Sequence, residues 1–222
     1  MQRRFFFLGV VLLLVCAVIW TGCSKDQSTN PERQAQDPPV DTPDRAMRHF
    51  KEAYGQLDID EYGGILHEDY KFFFLQHDII TLGLLSDHLE RDVEMEVSTN
   101  MFSGEPLTNP GGGVDPVPGI NSIEFSLLEQ EGAWGPSYNP EFENAQRAVF
   151  KIEFSVTRPG ARTITITGRQ EFYVADRGAV QPDGTVLPDY RVVGQVDLTD
   201  TDKPDGKETD GNSWGQLKSL YR

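Results

Sequence analysis

Carboxylates, tyrosines and four histidines are the residues from which any chemistry in this chain would be built. His67 stands beside Glu68 and Asp69, a grouping able to act as an acid/base pair or as the edge of a metal site. The same run suits a solvated helix end, the commoner setting for such residues. His49, His77 and His88 show no ligand spacing with one another. Asp58-Ile59-Asp60-Glu61-Tyr62-Gly63 has acids at the first and third positions and glycine at the sixth, as a calcium-binding loop would. Tyr62 then falls on a ligand position and Asp69 stands where a bidentate Glu belongs, and a helix cap at Asp58 accounts for the pattern without an ion. Residues 199–211 carry Asp200, Asp202, Asp205, Glu208 and Asp210, diluted by Lys203 and Lys207 and matching no cation-loop spacing. A solvated hairpin is the expectation there. Glu153 and Glu171 alternate with Phe154 and Phe172, which turns both acids towards water. There is no phosphate-binding glycine loop, nucleophile elbow or basic-aromatic patch. No metal, no cofactor and no catalytic constellation is expected, and the chain leans away from an enzyme.

The cysteines point to a compartment. Arg3 and Arg4 precede sixteen largely apolar residues, Phe5 to Trp20, followed by Thr21-Gly22-Cys23-Ser24. A basic start, an apolar run and small residues before a cysteine read as a signal peptide over 1–22, too short for a comfortable membrane span. The Thr-Gly-Cys ending resembles a bacterial lipobox, although Trp20 sits where Leu is commonest. That resemblance implies cleavage before Cys23 and attachment of fatty-acyl (palmitate-type) chains to it, a membrane anchor in the cell envelope. Ser24 lacks the Asp that resembles an inner-membrane retention signal, so the outer membrane is expected where there are two. Cys16 lies inside the signal, which leaves no disulfide and no thiolate metal site or nucleophile. Without Arg3 and Arg4 the chain holds 18 basic against 35 acidic residues, a net charge of −17. Such a surface argues against nucleic acid and against anionic headgroups. Residues 23–41 are the lipidated cysteine and a Pro-, Gln- and charge-rich tether expected to be disordered, and 42–222 is one domain.

The elements follow from caps and periodicity. Thr42, Pro43 and Asp44 form a helix start, and Met47, Phe50, Tyr54 and Leu57 recur as one apolar stripe. Asp58 caps a second short helix with Ile59, Tyr62 and Ile65 or Leu66 inward. Tyr70, Phe72 and Phe74 then alternate with Lys71, Phe73 and Leu75, a strand covered on both faces. Residues 86–102 fit both periods, and length and Glu/Arg/Met content favour a helix capped by Ser86 or Asp87. A loop with Gly111-Gly112-Gly113 leads to a strand over 120–129 with Ile123, Phe125 and Leu127 on one face. Trp134 and Tyr138 fall in the next loop. Residues 148–157 and 162–175 pair as a hairpin about Pro159-Gly160, with a kink or bulge at Gly168. Tyr190 to Leu198 is a further strand, and Ser213 to Tyr221 is a last strand or a short helix.

The opening RAMRHFKEAYGQLDIDEYGGILHEDYKFFF and this order of elements are similar to nuclear transport factor 2-like domains, the cystatin-like cone also used by ketosteroid isomerases and SnoaL-like cyclases. The likeness spans 44–222 in element order, and its sharp local motif is 44–74. It implies an α+β fold in which a curved antiparallel sheet wraps N-terminal helices around a conical cavity, with Tyr54, Phe72, Met101 and Phe172 as cavity candidates. Isomerase chemistry in such a cone would need a carboxylate base with Tyr and a protonated acid as oxyanion donors. Tyr54 suits the inner face of the first helix, but the two acids match no position here. The leading expectation is a non-catalytic envelope lipoprotein whose cone binds a small apolar ligand or an envelope protein. The others are an isomerase, cyclase or dehydratase using a buried polar pair, and an assembly lipoprotein that forms a homodimer through its sheet face.

Overall fold

Helix α1 (Pro43–Gln56) begins as its residues dictate. In the computed structural model, which describes residues 39–108, 116–199 and 213–222, Thr42 Oγ1 accepts from the Arg45 N–H and Pro43 takes the first helical position. Met47, Phe50 and Tyr54 are buried, and Leu57 closes the helix with φ 54° while packing against the same core. Asp58 caps α2 (Ile59–Ile65) by accepting from the N–H groups of Asp60 and Glu61. Strand β1 (Leu66–Phe73) follows. Its inner side chains Tyr70 and Phe72 join the main core, while Phe73 packs into a smaller cluster with Phe142, Tyr173 and Val193 on the other face. The signal, Cys23, the tether up to Pro38, the triple glycine and residues 200–211 lie outside the described residues.

The next stretch departs from expectation. A short helix, α3 (Gln76–Thr81), precedes β2 (His88–Glu90), and α4 runs from Arg91 to Phe102. The helix expected with Ser86 or Asp87 as its cap is instead capped at Glu90, three or four residues late. Leu89 pairs with Phe72 across the β1–β2 ladder, and Asp87 O accepts from the Phe74 N–H. Sheet pairing holds these residues extended, although Leu89 and Val93 sit at helical spacing.

Strands β3 (Ser122–Pro136), β4 (Gln146–Thr157), β5 (Ile164–Asp176) and β8 (Tyr190–Asp197) complete the main sheet, with a small β6 (Ala179–Val180) and β7 (Val186–Leu187) ribbon between the last two. The order is β2-β1-β8-β5-β4-β3. Every neighbouring pair is antiparallel except β1 and β8, which run parallel, so the sheet is mixed and not wholly antiparallel as expected. Parallel neighbours need a long connection, and the helices and the β3–β5 meander supply it. The β4–β5 hairpin keeps unbroken register through Ile152 and Gly168, turning at Gly160. The expected bulge at Gly168 is thus absent from that ladder. A Cβ there would lie 2.2 Å from Thr199 Oγ1, so the glycine admits a close neighbour.

β3 corrects two expectations. Its register shifts between Phe125 and Leu127, so Leu128 and not Leu127 packs against the core. The strand also runs on to Pro136, which places Trp134 on β3 with its indole N–H donating to Asp44 Oδ1 at 2.7 Å. The chain closes with α5 (Trp214–Leu220), where a reciprocal capping box between Ser213 and Gln216 favours helix over strand. The result is an α+β unit over Pro39–Arg222 whose curved sheet wraps α1, α2, α4 and α5.

Candidate functional site

Helix periodicity brings one acid and one base into the centre of the core. On α4, Glu94, Val97, Ser98 and Met101 face inward at spacings of three and four. On α5, Trp214, Leu217 and Lys218 do the same. Lys218 Nζ lies 2.6 Å from both carboxylate oxygens of Glu94, and both side chains are 0% exposed. Tyr62 OH donates to Glu94 Oε1 at 2.6 Å and Ser98 Oγ donates to it at 3.0 Å. The Lys218 ammonium also stands 3.9 Å from the Phe72 ring centroid, a cation–π contact in a desolvated setting.

Electrostatics follow from burial. Desolvation drives the Tyr54, Tyr62 and Tyr70 hydroxyls above the ordinary tyrosine range, and the charge on Glu94 pushes them further. Tyr62 and Tyr70 therefore act as neutral hydrogen-bond donors, to Glu94 and to Gln195 Oε1. Burial also pulls the Lys218 ammonium below its ordinary value, against the support of Glu94. The Tyr54 hydroxyl and the Trp214 indole N–H have no hydrogen-bond partner among the described residues. Their rings meet edge-to-face at 5.1 Å.

Two further carboxylates clamp α5 from the body of the domain. Asp78 on α3 accepts from Ser213 Oγ and, at 2.9 Å, from Gln216 Nε2. Asp197 at the end of β8 accepts from the N–H groups of Gly215 at 3.2 Å and Thr199 at 2.9 Å. Desolvation raises the Asp197 carboxyl above the usual range, and nearby Asp78 adds to this. At the far end Asn100 Nδ2 donates to Tyr221 O, and Tyr221 OH donates to Pro118 O.

The residues singled out by sequence fall as follows. Tyr54, Phe72, Met101 and Phe172 all lie in the main core at 0% exposure. Phe50 joins Tyr54 and Phe172 through ring contacts of 5.1 and 5.2 Å, and α5 stands among them, with Lys218 over Phe72 and Trp214 against Tyr54. An open groove of about 270 Å³ lies elsewhere, lined by Asp44, Met47, Lys51, Leu128, Gln130 and Phe150 among others. Cys23 lies outside the described residues.

Glu171 is a correction. Expected to face water, it is only 8% exposed, with Arg147 Nη1 at 2.5 Å and Tyr173 OH at 2.6 Å. The loop that carries Phe142 covers this outer face of the sheet, and Phe142 stacks on Tyr173 with centroids 4.4 Å apart. Glu153 remains towards the surface and accepts from Ser126 Oγ. His67, Glu68 and Asp69 lie on β1 and not at a helix end. That trio, and His49 with Glu52 and Glu61, each bring three ligand atoms within 4.8 Å. In both, the histidine Nδ1 is already engaged, by the Asp69 N–H and by Glu61 Oε1.

Sequence reasoning missed Glu94, Ser98, Lys218 and the part Tyr62 plays. Their signal was the i, i+4 spacing of Glu94 with Ser98 and of Trp214 with Lys218, visible only once each helix start is known.

No protein-family model and no curated protein matches the sequence. Among solved structures, the chain is similar to an NTF2-like protein of unknown function in nutrient uptake from Rhodospirillum rubrum, at 12% identity and a TM-score of 0.42, over 70% of this chain and 96% of that one. It is similar to the beta subunit of benzoate 1,2-dioxygenase from Burkholderia mallei, at 11% identity and 0.42, over 69% and 85%. An NTF2-like protein from Cytophaga hutchinsonii matches at 11% identity and 0.38, over 68% and 89%. The fold class rests on this chain's own strands and helices.

Proposed function

We propose that this protein is an exported lipoprotein, held on the cell envelope by acyl chains on Cys23, whose cone is a non-catalytic module that binds a small apolar ligand or a protein partner. Where the cell has two membranes, the outer one is the proposed site. The envelope half of the reading is supported by the arginines, apolar run and Thr21-Gly22-Cys23 ending of the sequence. The non-catalytic half is carried by the state of Glu94. A general base needs a free lone pair within reach of a substrate proton. Glu94 instead accepts from Lys218 on both oxygens and from Tyr62 and Ser98 on one, with all four side chains fully buried.

One observation favours an enzyme as second reading. Tyr54 OH and Trp214 Nε1 are buried donors without partners among the described residues, close to a buried carboxylate. Isomerase-type chemistry there would require α5 to leave, since Trp214 and Lys218 fill the interior.

The full chain expressed in a two-membrane bacterium fed a clickable palmitate analogue tests the anchor. The wild-type chain is expected to label and to fractionate with membranes, and Cys23→Ala to do neither. An unlabelled wild-type chain refutes the anchor. Native mass spectrometry of the same chain, released gently, reads out the module through a reproducible adduct.

A further inference from the structure

Lys218 is a fully buried cation on α5, and the groups that hold its ammonium belong to other elements. Glu94 comes from α4, Tyr62 from α2 and Phe72 from β1. Tyr62 and Ser98 orient the carboxylate through bonds that do not involve α5. Carboxylate on one side and an aromatic face on another form a receptor for an ammonium group. The charge is not explained by stability, because a well-packed apolar pair usually serves a core as well or better. Nor is α5 woven into the sheet. It is held by side chains and caps, through Asp78, Asp197, Asn100 and Pro118. Its largest ring, Trp214, is fixed by packing on Phe50, Tyr54 and Phe154, with its indole N–H unpartnered among the described residues.

We infer that the Glu94 box is an ammonium-binding site filled by the chain's own Lys218, and that the cone's ligand is an amphiphilic primary amine that exchanges with α5. The ligand's ammonium takes the place of Lys218 on Glu94, and its alkyl body takes the place of Trp214 and Leu217 against the aromatic rings. This rests on the reading of the cone as a binding module and gives it a ligand class. A fatty acid or neutral alcohol of the same length would meet Glu94 with the wrong charge or with none.

The test uses the chain from Ser24 onward with Trp134→Phe, which leaves Trp214 as its only tryptophan. Octylammonium, octanoate and octanol are titrated in while Trp214 emission and 1:1 adducts in native mass spectrometry are followed. Octylammonium is expected to red-shift Trp214 saturably, at a midpoint lower than that of octanol by about tenfold or more. Glu94→Gln is expected to abolish that preference. Should that variant not fold, Lys218→Ala replaces it, and propylammonium, but neither propanol nor propionate, is expected to raise its thermal midpoint. Octylammonium without effect overturns the inference, as does equal rescue of Lys218→Ala by propanol. Octanoate or octanol acting as well as octylammonium also overturns it, while leaving the binding-module reading in place.

Discussion

Replacing Lys218 with Met removes the charge from the core at nearly constant side-chain length, so most of the effect is electrostatic. Glu94 then loses two bonds of 2.6 Å and keeps Tyr62 and Ser98, which both donate to Oε1. Its Oε2 is left bare in a fully buried site. Removing one member of such a pair costs about 3–5 kcal/mol, because the other charge remains without compensation. For a domain of this size that corresponds to about 6–20 °C in melting temperature. Glu94→Gln combined with Lys218→Met removes both charges while an amide oxygen can still accept from Tyr62 and Ser98, and most of the loss should return. Urea denaturation at pH 7, followed by far-UV circular dichroism, measures all four proteins of the cycle. A loss below about 1 kcal/mol for Lys218→Met, or a double variant no more stable than that single one, would refute the reasoning.

Three further outcomes are expected. Gly194→Ala should lose about 1–3 kcal/mol in the same assay, because its Cβ would come 2.2 Å from Cζ of Phe142, and Phe142→Leu in the same chain should restore part of it; a neutral Gly194→Ala would mean that the ring does not sit there. Asp189 is held below the ordinary carboxylate range: burial alone would raise it, and Arg177, Arg191 and the Val40 N–H outweigh burial. Its contribution is therefore present above about pH 4 and lost as pH falls through the lower folded value, so Asp189→Asn should flatten the acid limb of the stability curve. His88 is pulled down by burial but raised on balance by Asp87 and Glu90, at 2.7 and 2.9 Å. The stability it adds is present below about pH 6.5 and lost as pH rises through the folded value, and its ring signals in an NMR titration should turn over above that pH, returning towards it in Asp87→Asn.

The opening of the folded unit, residues 42–73, was legible because local rules and tertiary packing agree there. Thr42 and Asp58 cap the helices that their types suggest, and the stripe from Met47 to Leu57 faces the core. The β4–β5 hairpin was legible for the same reason, since alternation over 148–157 has one buried face. Legibility failed where a distant partner decides. Leu89 extends because Phe72 offers it a ladder position, and Glu171 is buried because the loop bearing Phe142 lies over the sheet. Neither partner is near in sequence, so no window of ten or fifteen residues contains the answer.

The candidate site was the least legible part, for a reason that bears on its meaning. Glu94 alternates with apolar residues in a run that reads as charged surface, and Lys218 sits in a ten-residue tail that reads as either strand or helix. Each is ordinary on an exposed helix face, and only their meeting makes them unusual. Two complementary charges more than a hundred residues apart cannot find each other through local preference. They can be kept together only by a sheet that curls α4 and α5 onto the same rings. An apolar pair would have served packing as well, and a lone charge would have cost the core about 3–5 kcal/mol, so the arrangement tolerates the loss of both charges better than the loss of one. A carboxylate that requires a cation, beside a helix that supplies one from outside the sheet, is also what a site would look like if another cation could take that place.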